Sequence, residues 1–273
     1  MGSDRAAGLT DSIFVVTLNE TAHRATVLQL PRDTYANYTQ KDYKKLNGAY
    51  RELGAEGVKN LLSEALGVPI HHTMVLDLDG LQAMVDAVGG VDLVLPQAME
   101  YADPAQGLEI RLPAGAVHLD GLGAEQLVRY RSGYVNADLG RLDAQKLFLQ
   151  AFAAKCKTLS PAQAMRLLEP MLKHVKTDLD LPNAIRLVSV LRDCDAEHIP
   201  MATLAGEAVQ GVSGAWYYCL CRSAACRMAN EYLLPEQMID LSEFDPKGLF
   251  DRVENENFHK IYTAPDAMLR EGG

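Results

Sequence analysis

No run of apolar residues in this 273-residue chain reaches the eighteen or so that a membrane-spanning helix needs, and no secretory leader opens it. Positive charge is scarce as well: 26 lysines and arginines against 36 aspartates and glutamates leave a formal net charge of -10. Nucleic acids and anionic lipid surfaces are bound through a broad positive field, so general binding of either is disfavoured. A DNA-binding regulator would also need a basic recognition helix, and none is present. Low-complexity tracts are missing. Cysteine is sparse and confined to the second half, at Cys156, Cys194, Cys219, Cys221 and Cys226. The run CLCRSAAC (219–226) offers CxC and CxxxxC spacings instead of the CxxC of a zinc half-site. These thiols read as unpaired or partly bridged, with one or two disulfides open to a chain exported to an oxidising compartment.

What is present suffices for a sizeable core: 48 % of the residues are hydrophobic and 23 % charged, an ordinary globular balance. The opening, MGSDRAAGLTDSIFVVTLN, passes from a polar loop into a strand within a dozen residues. It reads as a domain cut close to its edge, with an upstream anchor expected outside this chain.

SIFVVTLN (12–19) and ATVLQLP (25–31) are β-rich runs around a polar turn, which predicts a hairpin or neighbouring strands. The tyrosine-rich stretch 32–50 has no apolar period and reads as a surface loop. Residues 51–66 carry leucines at helical spacing, stopped by Gly67 and Pro69. A strand at 72–78, a short helix at 79–88 and a strand at 89–96 give a β-α-β rhythm. Helices are predicted at 119–131 behind Asp120, at 138–159, at 161–175 and at 182–192. The fold class that follows is α/β, a central mixed β-sheet flanked by helices in α-β-α layers. It is read as one domain over 1–273, with SPAQ (160–163) the only subdomain boundary on offer.

Against the acidic background, LVRYRSGYVNADLGRLDAQ (127–145) places Arg129, Arg131 and Arg141 close together. A local cluster of this kind suits one specific anion. Asp138, Arg141 and Gln145 share a helix face at i, i+3 and i+7, in the first turns where the helix dipole favours anions. Planar guanidinium groups grip phosphate oxygens in pairs. The competing reading is a solvated ion-pair network, Arg141 with Asp138 or Asp143 and Arg129 with Glu125 at i−4. A second anion-competent spot is Arg32-Asp33, at a strand end where α/β folds place ligand residues. Asp4 and Asp11 would repel an anion unless Mg²⁺ lay between carboxylate and phosphate oxygens. Singly, each also reads as a turn or strand-edge aspartate.

In order along the chain, GSDR (2–5), TDSIFVVTLN (10–19), LQLPRDTY (28–35), KLNGAY (45–50), VDAVGGVDLVLP (85–96), LDGLGAEQLVRYR (119–131) and DLGRLDAQKLF (138–148) resemble the extracellular catalytic domain of the LytR-CpsA-Psr family. The motif-bearing part spans about 2–155, with 160–273 completing the domain. The resemblance implies a phosphotransferase of the bacterial envelope, extracytoplasmic and anchored in the membrane by a segment absent here. It would move a glycopolymer of the teichoic or capsular type from a polyprenyl-pyrophosphate carrier to peptidoglycan or a related acceptor. It implies Mg²⁺ held by Asp4 and Asp11, catalytic phosphate contacts from Arg32, Arg129, Arg131 and Arg141, and Gln145 completing the pocket. Asp138 would orient the arginines and Lys45 would sit at the rim. Asp33 stands where a base for the acceptor hydroxyl is needed, or acts as a structural cap. Leu9 replaces an arginine common in the family two residues before the second aspartate.

Charge building on the phosphoryl oxygens and the leaving lipid phosphate would be stabilised by metal and arginine. Val15, Leu28, Leu127, Phe148 and Phe152 are expected either as plain core or as walls of a lipid tunnel. Trp216-Tyr217-Tyr218 is expected as a buried strand or an acceptor-glycan platform, and His71-His72 as an incidental pair or a metal ligand. A non-catalytic module that binds polyprenyl phosphate or wall polymer is the alternative function.

Overall fold

The computed structural model describes residues 1–3, 10–39, 44–103, 108–130, 137–194, 199–210, 215–233, 237–245 and 247–250; of residues 2–3, 137–142 and a few other helical positions it describes the backbone alone. Strands β1 (Gly2–Ser3), β2 (Thr10–Asn19) and β3 (Arg24–Leu30) come first, followed by a 3-10 turn at Leu46–Gly48 and helix α1 (Ala49–Leu66). Next come β4 (Met74–Asp77), α2 (Leu78–Ala87), β5 (Val91–Leu95), β6 (Met99–Asp103), β7 (Leu108–Leu112) and β8 (Gly115–Leu119). Helices α3 (Gly121–Arg129), α4 (Ala137–Lys157), α5 (Pro161–Arg166) and α6 (Leu168–His174) lead to β9 (Val175–Thr177) and α7 (Leu181–Asp193). The described chain closes with β10 (Met201–Thr203), β11 (Gly206–Gln210), β12 (Trp216–Leu220) and α8 (Arg222–Leu233). Two compact units result, one from Met1–Val75, Thr177–Ala184 and the chain from Pro200 onward, the other from Leu76–Lys176 and Ile185–Ile199. No described helix is long and apolar enough to cross a membrane.

The first unit is built on a six-stranded mixed sheet of order β10-β3-β2-β1-β4-β9, in which β4 and β9 carry the chain out of the unit and back. β2 and β3 form the expected hairpin, antiparallel from Ile13↔Leu30 to Asn19↔Arg24, and β10 adds parallel to β3. Lying between two strands and under α8, β3 is buried at every position after Arg24. Its two polar side chains are satisfied there: the Thr26 hydroxyl donates to the Tyr232 carbonyl, and Gln29 Oε1 accepts from Thr203 at 3.3 Å. Alanines 224, 225 and 229 line the buried side of α8, and their small side chains allow close packing on the sheet.

The stretch expected as a surface loop is instead anchored: Thr34, Ala36, Leu46, Asn47 and Gly48 are buried. Its backbone bonds go to β12, Tyr35 N–H to the Tyr218 carbonyl and Tyr218 N–H to the Asp33 carbonyl, both at 2.9 Å. Its return leg supplies two more, Ala36 N–H to the Lys44 carbonyl and Leu46 N–H to the Thr34 carbonyl, both at 2.8 Å. Small and polar residues bury without an apolar period when their backbone is paired in this way.

In the second unit the β-α-β reading fails at the pairing level. β5 pairs antiparallel with β8, and β6 with β7, each as a two-stranded ribbon apart from β4. β8 reaches β5 across the intervening β6–β7 pair, and both antiparallel pairings do without the helical crossover that a parallel pair would need. Helices α2, α3 and α4 cover these ribbons around a core that includes Val85, Val91, Leu95, Met99, Leu127 and Phe148. The single helix expected over 161–175 is divided at Leu167, where Pro170 removes the donor that would continue the ladder. The five possible lipid-tunnel residues are packed into the two interiors, Phe152 only in part. Val15 and Leu28 are buried in the sheet, and Leu127 and Phe148 in the second unit, where Phe152 stacks on Phe148 at 5.9 Å.

Candidate functional site

Two charged groupings, one in each unit, hold the described members of the expected site. In the first unit the hairpin does the positioning. Arg32 lies in the turn just after β3, where the Thr34 N–H donates to the Pro31 carbonyl at 3.1 Å, and Asp11 stands near the start of β2. The Arg32 Nη1 donates to Asp11 Oδ1. Arg32 Nε lies 3.7 Å from Asp33 Oδ2, and Asp33 Oδ1 accepts from Lys45 Nζ at 2.8 Å. Lys45 is fixed from behind by a β-bridge to Tyr35 and by the Tyr38 hydroxyl, which donates to its carbonyl at 2.9 Å. Its ammonium stands 5.6 Å from the centroid of the Tyr217 ring, which packs edge-on against Tyr35 at 5.5 Å.

The outcome is a chain of alternating charge, Asp11–Arg32–Asp33–Lys45, with 15–36 % of each side chain exposed. Formally neutral in sum, it is pre-organised: carboxylates hold each cation in place, and guanidinium and ammonium are the groups that bind oxyanions. Lys45 therefore sits inside the cluster. Both Asp33 oxygens face cations, an arrangement suited to orienting them and poorly suited to taking a proton.

In the second unit α3 starts behind Asp120, which accepts from Gly123 N–H at 2.8 Å, and ends at Arg129. Tyr130 then turns to extended backbone, the change that would let Arg129 and Arg131 share a direction. Arg129 Nη1 donates to Glu125 Oε1 at 2.9 Å, and Gln82 donates to Glu125 Oε2. Glu125 is only 4 % exposed, so its carboxylate is sustained by those partners and in turn holds Arg129. The i−4 ion pair weighed as the ordinary explanation is thus present. Asp143 pairs with Lys146 at 3.0 Å. Gln145 is buried and donates to the Val128 carbonyl at 3.3 Å, tying α4 to the residue before Arg129.

Asp4, Leu9 and Arg131 lie outside the described residues, and so do the side chains of Asp138 and Arg141, whose backbone is in the first turns of α4. Asp11 is therefore the described half of the expected metal pair. Its hard carboxylate beside an oxyanion-competent arginine fits a Mg²⁺ ion that shares its coordination with a substrate phosphate, which needs only one or two protein carboxylates. Among the described residues no group of three or more His, Cys, Asp or Glu could hold a metal on its own. His72 lies 3.6 Å from Asp178, and the His71 carbonyl accepts from Lys59, so the histidine pair belongs to a separate surface network. All five cysteines are free thiols. Sequence reasoning had Tyr35 only inside the LQLPRDTY motif, Tyr217 only within Trp216-Tyr217-Tyr218, and Glu125 only as an i−4 partner of Arg129; their support of Lys45 and Arg129 was missed.

With this geometry in hand, the comparisons are specific. The model of the LytR_cpsA_psr family matches residues 1–232, and the chain belongs to that family. Its relatives include a polyisoprenyl-teichoic acid–peptidoglycan teichoic acid transferase TagU of Oceanobacillus iheyensis, 27 % identical over 84 % of this chain and 71 % of the relative. The TagU of Bacillus mycoides is 30 % identical over 80 % of this chain and 69 % of its own length. Among solved structures, TagV of B. subtilis superposes with a TM-score of 0.73 at 24 % identity, covering 87 % of this chain and 96 % of that one, which establishes the shared fold.

Proposed function

We propose that this chain transfers a polyprenyl-diphosphate-linked glycopolymer to a hydroxyl of peptidoglycan, outside the cytoplasmic membrane, as a phosphotransferase. The single observation that carries the reading is the Asp11–Arg32–Asp33–Lys45 cluster at the end of the β2–β3 hairpin. Family membership and the names of the transferase relatives support it. Membrane attachment through a segment beyond this chain is part of the same proposal.

In this reading Arg32 and Lys45 bind the non-bridging oxygens of the diphosphate, and Asp33 keeps both cations aimed. The family resemblance implies a phosphate-ligand role for Arg129, which Glu125 orients within its own unit, and keeps the implied roles of Arg131, Arg141 and Asp138. Gln145 secures the end of α3 and acts through Arg129. The acceptor oxygen forms a bond to the phosphorus that carries the glycan, and the bridging P–O bond breaks. Polyprenyl phosphate leaves with the electron pair, and the hydroxyl proton passes to solvent or to the leaving phosphate. Negative charge grows on oxygens already faced by fixed cations, so little reorganisation is needed at the moment of reaction. A Mg²⁺ ion held by Asp11, with Asp4, would supply further charge neutralisation on the same oxygens.

The test is transfer from a polyprenyl-diphosphate glycan donor to peptidoglycan, with and without Mg²⁺, by wild type and Arg32→Ala. Turnover that needs the metal and falls at least about a hundredfold in the variant is the expected result. Donor binding without turnover would leave a non-catalytic carrier, and turnover indifferent to Arg32 would remove the cluster from the site.

A further inference from the structure

The chain contains one tryptophan, and it is not buried: Trp216 is 57 % exposed at the start of β12. Tryptophan is well covered on average, and an exposed indole offers a flat apolar face that a ligand can use. Its place is tied to the cluster. Tyr218, two residues on, makes a parallel bridge to Thr34, with its N–H on the Asp33 carbonyl and its carbonyl on the Tyr35 N–H. Two residues of strand are about 7 Å, so Trp216 stands about that far along β12 from Tyr218, whose N–H is on the Asp33 carbonyl.

The ribbon around Trp216 has its own chemistry. Register pairs Trp216 with Gln210 and Tyr218 with Ala208, so Gln210 shares the face of the indole, and it too is exposed. From Gly206 to Leu220 the sequence has no lysine or arginine and one acid, Glu207. A polyanionic polymer finds no counter-charge here. A neutral sugar ring presents an apolar C–H face that stacks on indole, and hydroxyls that both donate to and accept from a glutamine amide.

We propose that Trp216, with Gln210 across the ribbon, is the stacking platform for the sugar rings of the acceptor glycan strand, a role that rests on the transferase reading above. Trp216 is here a specificity-determining residue: it touches the acceptor and leaves the diphosphate to Arg32 and Lys45.

A sole tryptophan makes the test direct. Intrinsic fluorescence of the wild-type chain is titrated with a short soluble peptidoglycan glycan fragment, and separately with polyprenyl diphosphate lacking a glycan. Saturable change with the first and none with the second is expected. In the transfer assay, Trp216→Ala should raise the KM for the acceptor about five- to tenfold and leave that for the donor unchanged, with Trp216→Tyr recovering most of the loss. A flat glycan titration, or an acceptor KM untouched by Trp216→Ala, overturns the proposal. So does a rise in donor KM alone, which would assign the ring to the donor glycan. Glycan binding is read by fluorescence whether or not turnover occurs, so a positive titration without transfer would sink the transferase reading, and with it the acceptor role, while leaving Trp216 a glycan-stacking residue.

Discussion

The arginines of the two units are held in opposite ways. Arg32 sits in a partly open row in which two carboxylates and an ammonium share the charge, and its anchor Asp11 has a 36 % exposed side chain. Arg129 is held by a carboxylate that is almost wholly buried and whose second oxygen is taken by Gln82. The two arginines are similarly exposed, 20 % for Arg32 and 26 % for Arg129; what differs is the carboxylate, 36 % exposed at Asp11 and 6 % at Glu125, so losing the cation strands a buried charge only in the second. The difference teaches that a similar residue, presenting the same fork, is coupled to stability in one unit and largely uncoupled in the other.

The strongest way to break that contrast is at Arg129. Arg129→Ala leaves Glu125 charged and buried without its cation and should cost about 3 kcal/mol of stability, read as a lowered urea midpoint. Adding Glu125→Gln removes the stranded charge, so the double variant should regain most of the midpoint and none of the transfer activity. Recovery of both, or of neither, would mean that Glu125 does not act through Arg129.

A smaller effect is expected from Arg32→Lys. An ammonium keeps the charge but cannot meet Asp11, Asp33 and a phosphate at once as a planar fork does. Transfer should fall about tenfold while the melting temperature stays within roughly 2 °C, because the cluster is solvent-accessible. A melting temperature that drops as far as in Arg129→Ala would erase the distinction between the units.

The legibility of these features followed the same division. Hairpin β2–β3, helix α3 behind Asp120 and helix α4 were all readable, because alternation, helical spacing and a cap are local signals. Arg32, Asp33 and Lys45 were found by motif, yet their mutual contact depends on a return leg, 44–48, that pairs back on 34–36 and looks like loop in one dimension. Glu125 was visible only as one partner of a helix pair; that it is buried depends on Gln82 and α2, far away in sequence. Trp216 was expected in a buried strand or on an acceptor-glycan platform, and it is exposed at the start of β12, paired with Gln210 in a two-stranded ribbon.

The smallest effect belongs to the network outside both groupings, and it serves as the control. Asp178 accepts from Thr73 N–H at 2.7 Å and from Lys59 Nζ at 3.2 Å, while Lys59 also meets Glu56 at 2.8 Å. Burial pushes the Asp178 carboxyl up, but the Thr73 N–H and the Lys59 ammonium outweigh it and hold the group below its ordinary 3.8. Its contribution is therefore complete above pH 3.8 and lost as the pH falls through the lower folded value. Lys59 is raised above its ordinary 10.5, first by its hydrogen bond to Glu56, against burial, and then by Asp178. That contribution is complete below pH 10.5 and lost as the pH rises through the higher folded value. Asp178→Asn should thus flatten the acid limb of the melting temperature below pH 3.8 and leave part of the alkaline limb, which Glu56 sustains. The change should shrink in 1 M salt, since the pair lies at the surface. Transfer activity at neutral pH should not move at all; if it did, the network around Asp178 would have to be counted as part of the site.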